Sequence, residues 1–215
     1  MSKSHAGHST FSKGKLTSQA FQEPYFRNAG KTILGLVGDG KEGLKRHVEY
    51  YRGRGFQNII IYESDPATAR TLYDAKYDHY RNDEGVVIHY GDALQHSFGV
   101  EPVNAIDFDS MQNFFYHLVK KVGSKWVCEL DPLYTSGTNI ISITCSSRIH
   151  TKEPMYKLAM DYGIPASSKT KQWIVAEQFL KITYPEYEFL AFPYWGKTCM
   201  YNIMAIKKSY LANRL

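Results

Sequence analysis

Apolar positions return along this chain in two alternating rhythms. From residue 31 onward, short unbroken apolar runs alternate with longer stretches in which apolar side chains recur every third or fourth position. The first form suits a strand buried on both faces, the second an amphipathic helix. The runs predict strands over 32–37, 58–62, 86–90, 103–108 and 139–145. Helical spacing predicts a helix over 42–52, where Leu44, Val48 and Tyr51 share a face. A second, over 66–77, is opened by Pro66, whose missing N–H costs nothing in a first turn. Others are expected over 110–121, with Met111, Phe114, Phe115, Leu118 and Val119, and over 154–162 and 171–181. The end of the chain differs. Two strand-like runs, 188–194 and 198–206, are separated only by a turn at Gly196-Lys197, a hairpin that must be antiparallel.

Strands separated by helices demand a parallel sheet covered on both faces, so the expected fold is α/β. It is a Rossmann-like, doubly wound, mostly parallel sheet of about seven strands, with helices on both faces and a C-terminal antiparallel β-hairpin. Neither an internal repeat nor a linker divides it, and a single domain is expected over 21–215. Residues 1–20 are expected to form a flexible basic tail. As far as Thr17 this segment is nearly free of apolar residues and carries Lys3, Lys13, Lys15, His5 and His8, which suits a solvated tail or contact with a phosphate backbone.

Composition narrows the partners only a little. The net charge of +5 and a pI near 8.9 admit a nucleic acid without the density of a basic stripe. Tyrosine is abundant, at 17 residues, and suits both cores and binding faces. Of Cys128, Cys145 and Cys199, two lie in apolar runs and no CxxC occurs, which points to buried thiols in a reducing interior. No apolar run approaches the roughly 18–20 residues of a membrane span, so a soluble, cytoplasmic protein is expected. The histidines show no ligand spacing, and no metal site is expected.

The chemistry gathers where strands end. Gly38-Asp39-Gly40-Lys41-Glu42-Gly43 is a G-x-G-x-x-G between a strand and a helix. Its glycines permit a tight turn, close approach of a ligand to the backbone, and close helix–strand packing. Glu63 ends the second strand about 20 residues further on, where an acid can accept both hydroxyls of a ribose, although a strand end is also simply wet. Tyr90-Gly91-Asp92-Ala93 ends the third strand, with Asp92 placed to accept from the exocyclic amine of an adenine. Alternation puts Asp107 and Asp109 on one side of the fourth strand, over the crevice where open α/β sheets bind ligands; Asp109 or Ser110 can also cap the next helix.

In their order and spacing, these stretches resemble the motifs of class I S-adenosylmethionine-dependent methyltransferases. The stretches are Ile33-Leu34-Gly35-Leu36-Val37-Gly38-Asp39-Gly40, Tyr62-Glu63-Ser64-Asp65, Gly91-Asp92-Ala93 and Ile106-Asp107-Phe108-Asp109. The terminal hairpin is similar to the family's closing one, and the resemblance spans about 31–208. It implies S-adenosylmethionine as cofactor. Gly38, Asp39, Gly40 and Gly43 would then surround the methionine moiety, Glu63 with Ser64 the ribose, and Gly91, Asp92 and Ala93 the adenine. Asp107 would face the methionine end, and Asp109 would orient or deprotonate the nucleophile as the catalytic residue. With the mildly basic charge, the expected acceptor is a nucleic acid, RNA or DNA.

Members that methylate base amines carry Asn/Asp-Pro-Pro-Tyr/Phe after the fourth strand, whereas Asp109-Ser110-Met111 stands here. Asp131-Pro132-Leu133-Tyr134, closer to that pattern, lies before the fifth strand and reads as a turn. Were the strand count one off, Asp131 and Tyr134 would be the catalytic pair. Ser146, Arg148 and His150 follow the fifth strand and either line a substrate site or make turns. Lys169, Lys171, Trp173, Tyr194, Trp195 and Lys197 mix cations with aromatics, which suits unpaired bases, or a core for the tryptophans. Two other functions fit. A dinucleotide-dependent oxidoreductase shares the glycine loop and Glu63 but ordinarily has a second domain. A non-catalytic scaffold on the same fold would explain the missing tetrad.

Overall fold

The computed structural model describes residues 13–27, 29–37, 40–109, 112–148, 152–195 and 199–213. Gly38, Asp39, Ser110, Met111, His150, the Gly196-Lys197 turn and the first part of the expected tail lie outside the described residues. Seven strands form one sheet, and the chain falls into two compact units, Met1–Phe108 and Asp109–Leu215.

The first unit runs α1 (Lys13–Phe26), β1 (Thr32–Leu36), α2 (Gly40–Arg52), β2 (Asn58–Glu63), α3 (Pro66–Tyr80), β3 (Val86–Tyr90) and β4 (Ala105–Asp109). β1 pairs in parallel with β2 and β4, and β2 with β3, giving the order β3-β2-β1-β4. The apolar runs are strands because both faces are covered: Ile59, Ile60 and Ile61 are all buried, as are Ile33, Leu34, Ala105 and Ile106. Each such aliphatic side chain contributes about 1.5–3 kcal/mol by leaving water. α3 starts where its cap dictates, with the Asp65 carboxylate accepting from the Thr68 N–H at 2.7 Å and Pro66 in the first turn. It runs a turn beyond the expected end, since Tyr77, Asp78 and His79 are exposed and carry no apolar signal.

The second unit contains β5 (Val119–Val122), β6 (Lys125–Cys128), α4 (Asp131–Thr135), β7 (Ile140–Ser146), α5 (Glu153–Asp161), α6 (Gln172–Thr183), β8 (Tyr187–Trp195), β9 (Cys199–Lys207) and α7 (Lys208–Ala212). β9 pairs antiparallel with both β7 and β8 and so lies between them. The full order is β3-β2-β1-β4-β7-β9-β8, with β5 and β6 as a separate two-stranded ribbon. The doubly wound sheet and the C-terminal antiparallel hairpin are therefore present.

Two expectations are corrected. The helix over 110–121 does not form. One π-helical turn at Phe114–Leu118 buries Phe114, Phe115 and Leu118, and the chain then enters the β5–β6 ribbon. Gly123, at φ 62°, makes the reversal possible, and the flanking valines favour strand. α1 begins at Lys13, inside the stretch read from the sequence as a tail; its inward face holds Ser18, Gln19 and Gln22, which leave no apolar trace. Asp131-Pro132-Leu133-Tyr134 opens α4 rather than a turn. Its Tyr134 ring is buried against Tyr184, 4.3 Å between centroids, and Asp131 accepts from the Tyr184 hydroxyl at 2.9 Å, so both act in packing.

Candidate functional site

The carboxyl ends of β1 to β4 bring most of the sequence candidates to one edge of the first unit. β1 ends at Leu36, Val37 is buried, and α2 begins at Gly40 with Glu42 in its first turn. A helix that starts just after a strand aims its unpaired N–H groups at this edge. Gly43 lies inside that helix, its carbonyl accepting from His47 Nδ1 at 2.9 Å.

Glu63 closes β2 and Tyr90 closes β3, paired across the two strands. The Gly91 N–H donates to the Glu63 carbonyl at 3.0 Å, tying the turns together. Glu63 Oε1 accepts from the Asp65 N–H at 2.8 Å, and no described residue engages Oε2. Ser64 beside it is exposed. Gly91 has φ 151°, and a Cβ there would meet nothing within 4 Å, so the backbone is open to an incoming group. Asp92 caps a short 3-10 turn, Oδ1 accepting from the Leu94 N–H at 2.9 Å, and Ala93 is buried beneath it. Glu63 and Asp92 thus stand on neighbouring strand ends, each with one carboxylate oxygen bonded to a backbone N–H of its own turn.

Two residues that sequence reasoning missed stiffen this edge. The Tyr62 hydroxyl meets His96 Nδ1 at 3.0 Å, and His96 Nε2 lies 2.8 Å from the Glu101 carbonyl. A carbonyl only accepts, so Nε2 carries the proton and Nδ1 accepts from the tyrosine. Nothing in the sequence links positions 34 residues apart.

Asp107 lies deeper than the acids that end β2 and β3. It is 3% exposed, and both oxygens are occupied: Oδ1 accepts from Gln22 Nε2 at 3.2 Å and Oδ2 from the Tyr51 hydroxyl at 3.0 Å. Gly35, its partner on β1, makes room for Tyr51, since a Cβ there would lie 2.7 Å from that hydroxyl. The Tyr50 hydroxyl donates to Gln22 Oε1 at 3.2 Å. Burial, then the charge of Asp107, raises the pKa of Tyr50 well above the ordinary range, so it stays a donor. Asp109, two residues on, is half-buried at the end of β4.

In the second unit, the residues after β7 are held by amides. Asn113 Nδ2 donates to the carbonyls of Ser146 and Arg148, at 3.1 and 2.8 Å, and to Gln172 Oε1 at 3.1 Å, while Gln172 Nε2 donates to the Ser147 carbonyl at 2.8 Å. The mixed aromatic and basic group divides. Tyr194 is buried and Trp173 packs against Tyr201, whereas Trp195, Lys169 and Lys171 are exposed.

The strand order and reversed penultimate strand define the fold of class I S-adenosylmethionine-dependent methyltransferases, and solved structures bear this out. Magnesium protoporphyrin IX methyltransferase from Synechocystis PCC 6803, solved with bound SAH, superposes with a TM-score of 0.54 at 8% identity over 94% of this chain and 90% of its own. The cofactor-bound Rv0187 from MTB gives 0.55 at 14% identity over 95% and 84%. A precorrin-6y C5,15-methyltransferase from Geobacter metallireducens GS-15 gives 0.50 at 11% identity over 96% of each chain. No protein-family model and no curated protein matches the sequence. Among the described residues, no helix is long and apolar enough to cross a membrane.

Proposed function

We propose that the chain is an S-adenosylmethionine-dependent methyltransferase, one domain over 21–215, acting on a nucleic acid. The observation that carries the cofactor reading is the pair Glu63 and Asp92, on adjacent strand ends joined by the Gly91–Glu63 backbone bond and each with an oxygen to offer. That pair suits a ribose diol on β2 and an adenine amine on β3. The cofactor, when bound, supplies an electrophilic methyl on a sulfonium. Glu63 with Ser64 holds the ribose, Gly91, Asp92 and Ala93 hold the adenine edge, and Gly38, Asp39, Gly40 and Gly43 hold the methionine end at the start of α2. Asp107 acts there from beneath, through the polar group around it. Asp109 at the end of β4 orients the acceptor and takes its proton where the acceptor has one to lose. The nucleic-acid acceptor is supported by the positive charge of the chain and by the exposed Trp195, Lys169 and Lys171.

Calorimetric titration of wild type and Glu63→Ala with S-adenosylmethionine, S-adenosylhomocysteine and NAD tests the cofactor. Micromolar binding of the two adenosyl compounds is expected, weakened at least about tenfold in the variant, as the loss of a charged hydrogen bond implies. Binding of NAD alone would make the chain an oxidoreductase. Methyl transfer from radiolabelled cofactor to RNA, DNA and protein pools then reads the acceptor. Cofactor binding without label in any pool would favour a non-catalytic scaffold.

A further inference from the structure

α1 buries an unusual face. Surface helices normally turn an apolar stripe inward. Among the described side chains of α1, the buried ones are Ser18, Gln19, Gln22 and Phe26, one face by spacing, and only the last is apolar. Leu16, by contrast, is 51% exposed. What seats it is a chain of hydrogen bonds: Tyr50 hydroxyl to Gln22 Oε1, and Gln22 Nε2 to Asp107 Oδ1, while the Tyr51 hydroxyl holds Oδ2.

The far end of α1 is anchored by other means. Phe26 lies edge-on to Phe56, 6.0 Å between centroids, while Glu23, on the near side of Pro24, pairs with Arg27 and Arg54. Between the two ends stands Pro24, inside the helix, where it has no N–H for the carbonyl of Ala20 and weakens the ladder. The helix therefore has a firm root, a weak point and a polar seat. That seat lies on Asp107, beside Gly35 at the carboxyl ends of β4 and β1.

We infer that Gln22 is a positioning residue: its bond to Asp107 seats residues 16–23 as a cover, hinged at Pro24, over the carboxyl ends of β1 and β4. The inference rests on the cofactor reading of that edge. A seat held by polar contacts, Gln22 on Asp107 and Glu23 on Arg54, with little apolar burial, opens more readily than an apolar one, so a ligand can enter and leave. When Gln22 returns to Asp107 the ligand is enclosed. Gln22 thereby governs how long the adenosyl compound stays, more than how fast it arrives.

Hydrogen exchange of the full chain, with and without S-adenosylhomocysteine, reads the cover directly, and stopped-flow displacement reads its effect. In ligand-free wild type, residues 16–23 should exchange faster than α2, and the ligand should slow them. Gln22→Met keeps the length but removes the bond. It should speed exchange at 16–23 most, lower the ligand-free melting temperature modestly because the buried Asp107 loses a donor, and raise the dissociation rate about tenfold, the loss of a charged hydrogen bond. Gln22→Ala, which also removes the bond without adding a charge, should do the same and serves where the methionine variant folds poorly. Exchange at 16–23 as slow as in α2, or an unchanged dissociation rate in both variants, overturns the inference alone. Calorimetry showing no binding to wild type overturns the cofactor reading and this inference together.

Discussion

A glycine in the middle of a buried strand ordinarily weakens it, yet Gly35 on β1 is required by what lies over it. A Cβ there would lie 2.7 Å from the Tyr51 hydroxyl, closer than side chains pack, and Tyr51 is fully buried. Gly35→Ala should therefore overpack the site and cost about 1–3 kcal/mol, read as a lower urea midpoint with an unchanged slope. An unchanged midpoint would mean that Tyr51 does not reach Asp107. The cysteines make a second test. All three are free thiols; Cys128 and Cys145 are buried and Cys199 is partly exposed. Burial pushes the Cys128 thiol up to about 12, so thiolate is scarce there at neutral pH. A disulfide reagent at pH 8 should label Cys199 rapidly and leave the other two until the protein unfolds. The folded state favours the neutral Cys128 thiol, so its contribution is full below the unfolded value of 9.0 and lost as pH rises towards 12.

Elements begin and end on particular polar contacts. The Asp65 carboxylate caps α3, and the Thr68 N–H it accepts holds its pKa below the ordinary value of 3.8. A depressed folded pKa means stability present above 3.8 and lost as pH falls through the lower, folded value. Asp65→Ala should lower the melting temperature at pH 7, and Asp65→Asn, which still caps, should restore most of it. The β5–β6 ribbon is tied down at Asp161, which accepts from Lys121 Nζ at 2.5 Å and from Trp126 Nε1 at 2.8 Å. These bonds, Lys121 first, also hold its carboxyl below 3.8. Asp161→Asn should shift Trp126 fluorescence, whereas wild type should show that shift only in acid below that value. The ribbon was illegible in the sequence for a physical reason. Its outward face carries Lys120, Val122, Lys125 and Val127, and its short strands bury too little to leave a periodic signal.

At the scale of the whole molecule, binding at the strand ends should appear as stability. A ligand that binds only the folded chain adds about 2.7 kcal/mol at about 100 times its Kd, which for a chain of this size raises the melting temperature by roughly 5–11 °C. Differential scanning fluorimetry with S-adenosylhomocysteine reads this, and no shift would count against the adenosyl site. The same scale separates what each source of information holds. The sequence by itself determined the parallel strands, the terminal hairpin and the acids at strand ends. A strand buried on both faces writes a continuous apolar run, and the residue after it must emerge into water. Tertiary structure alone decided the seating of α1, whose buried side chains are polar. It also decided the group joining Asp107 to Tyr51 and Gln22, 56 and 85 residues away, and the bond from Tyr62 to His96. Periodicity records which positions leave water; it does not record which distant polar atom each one meets, and that pairing exists only once the chain has folded.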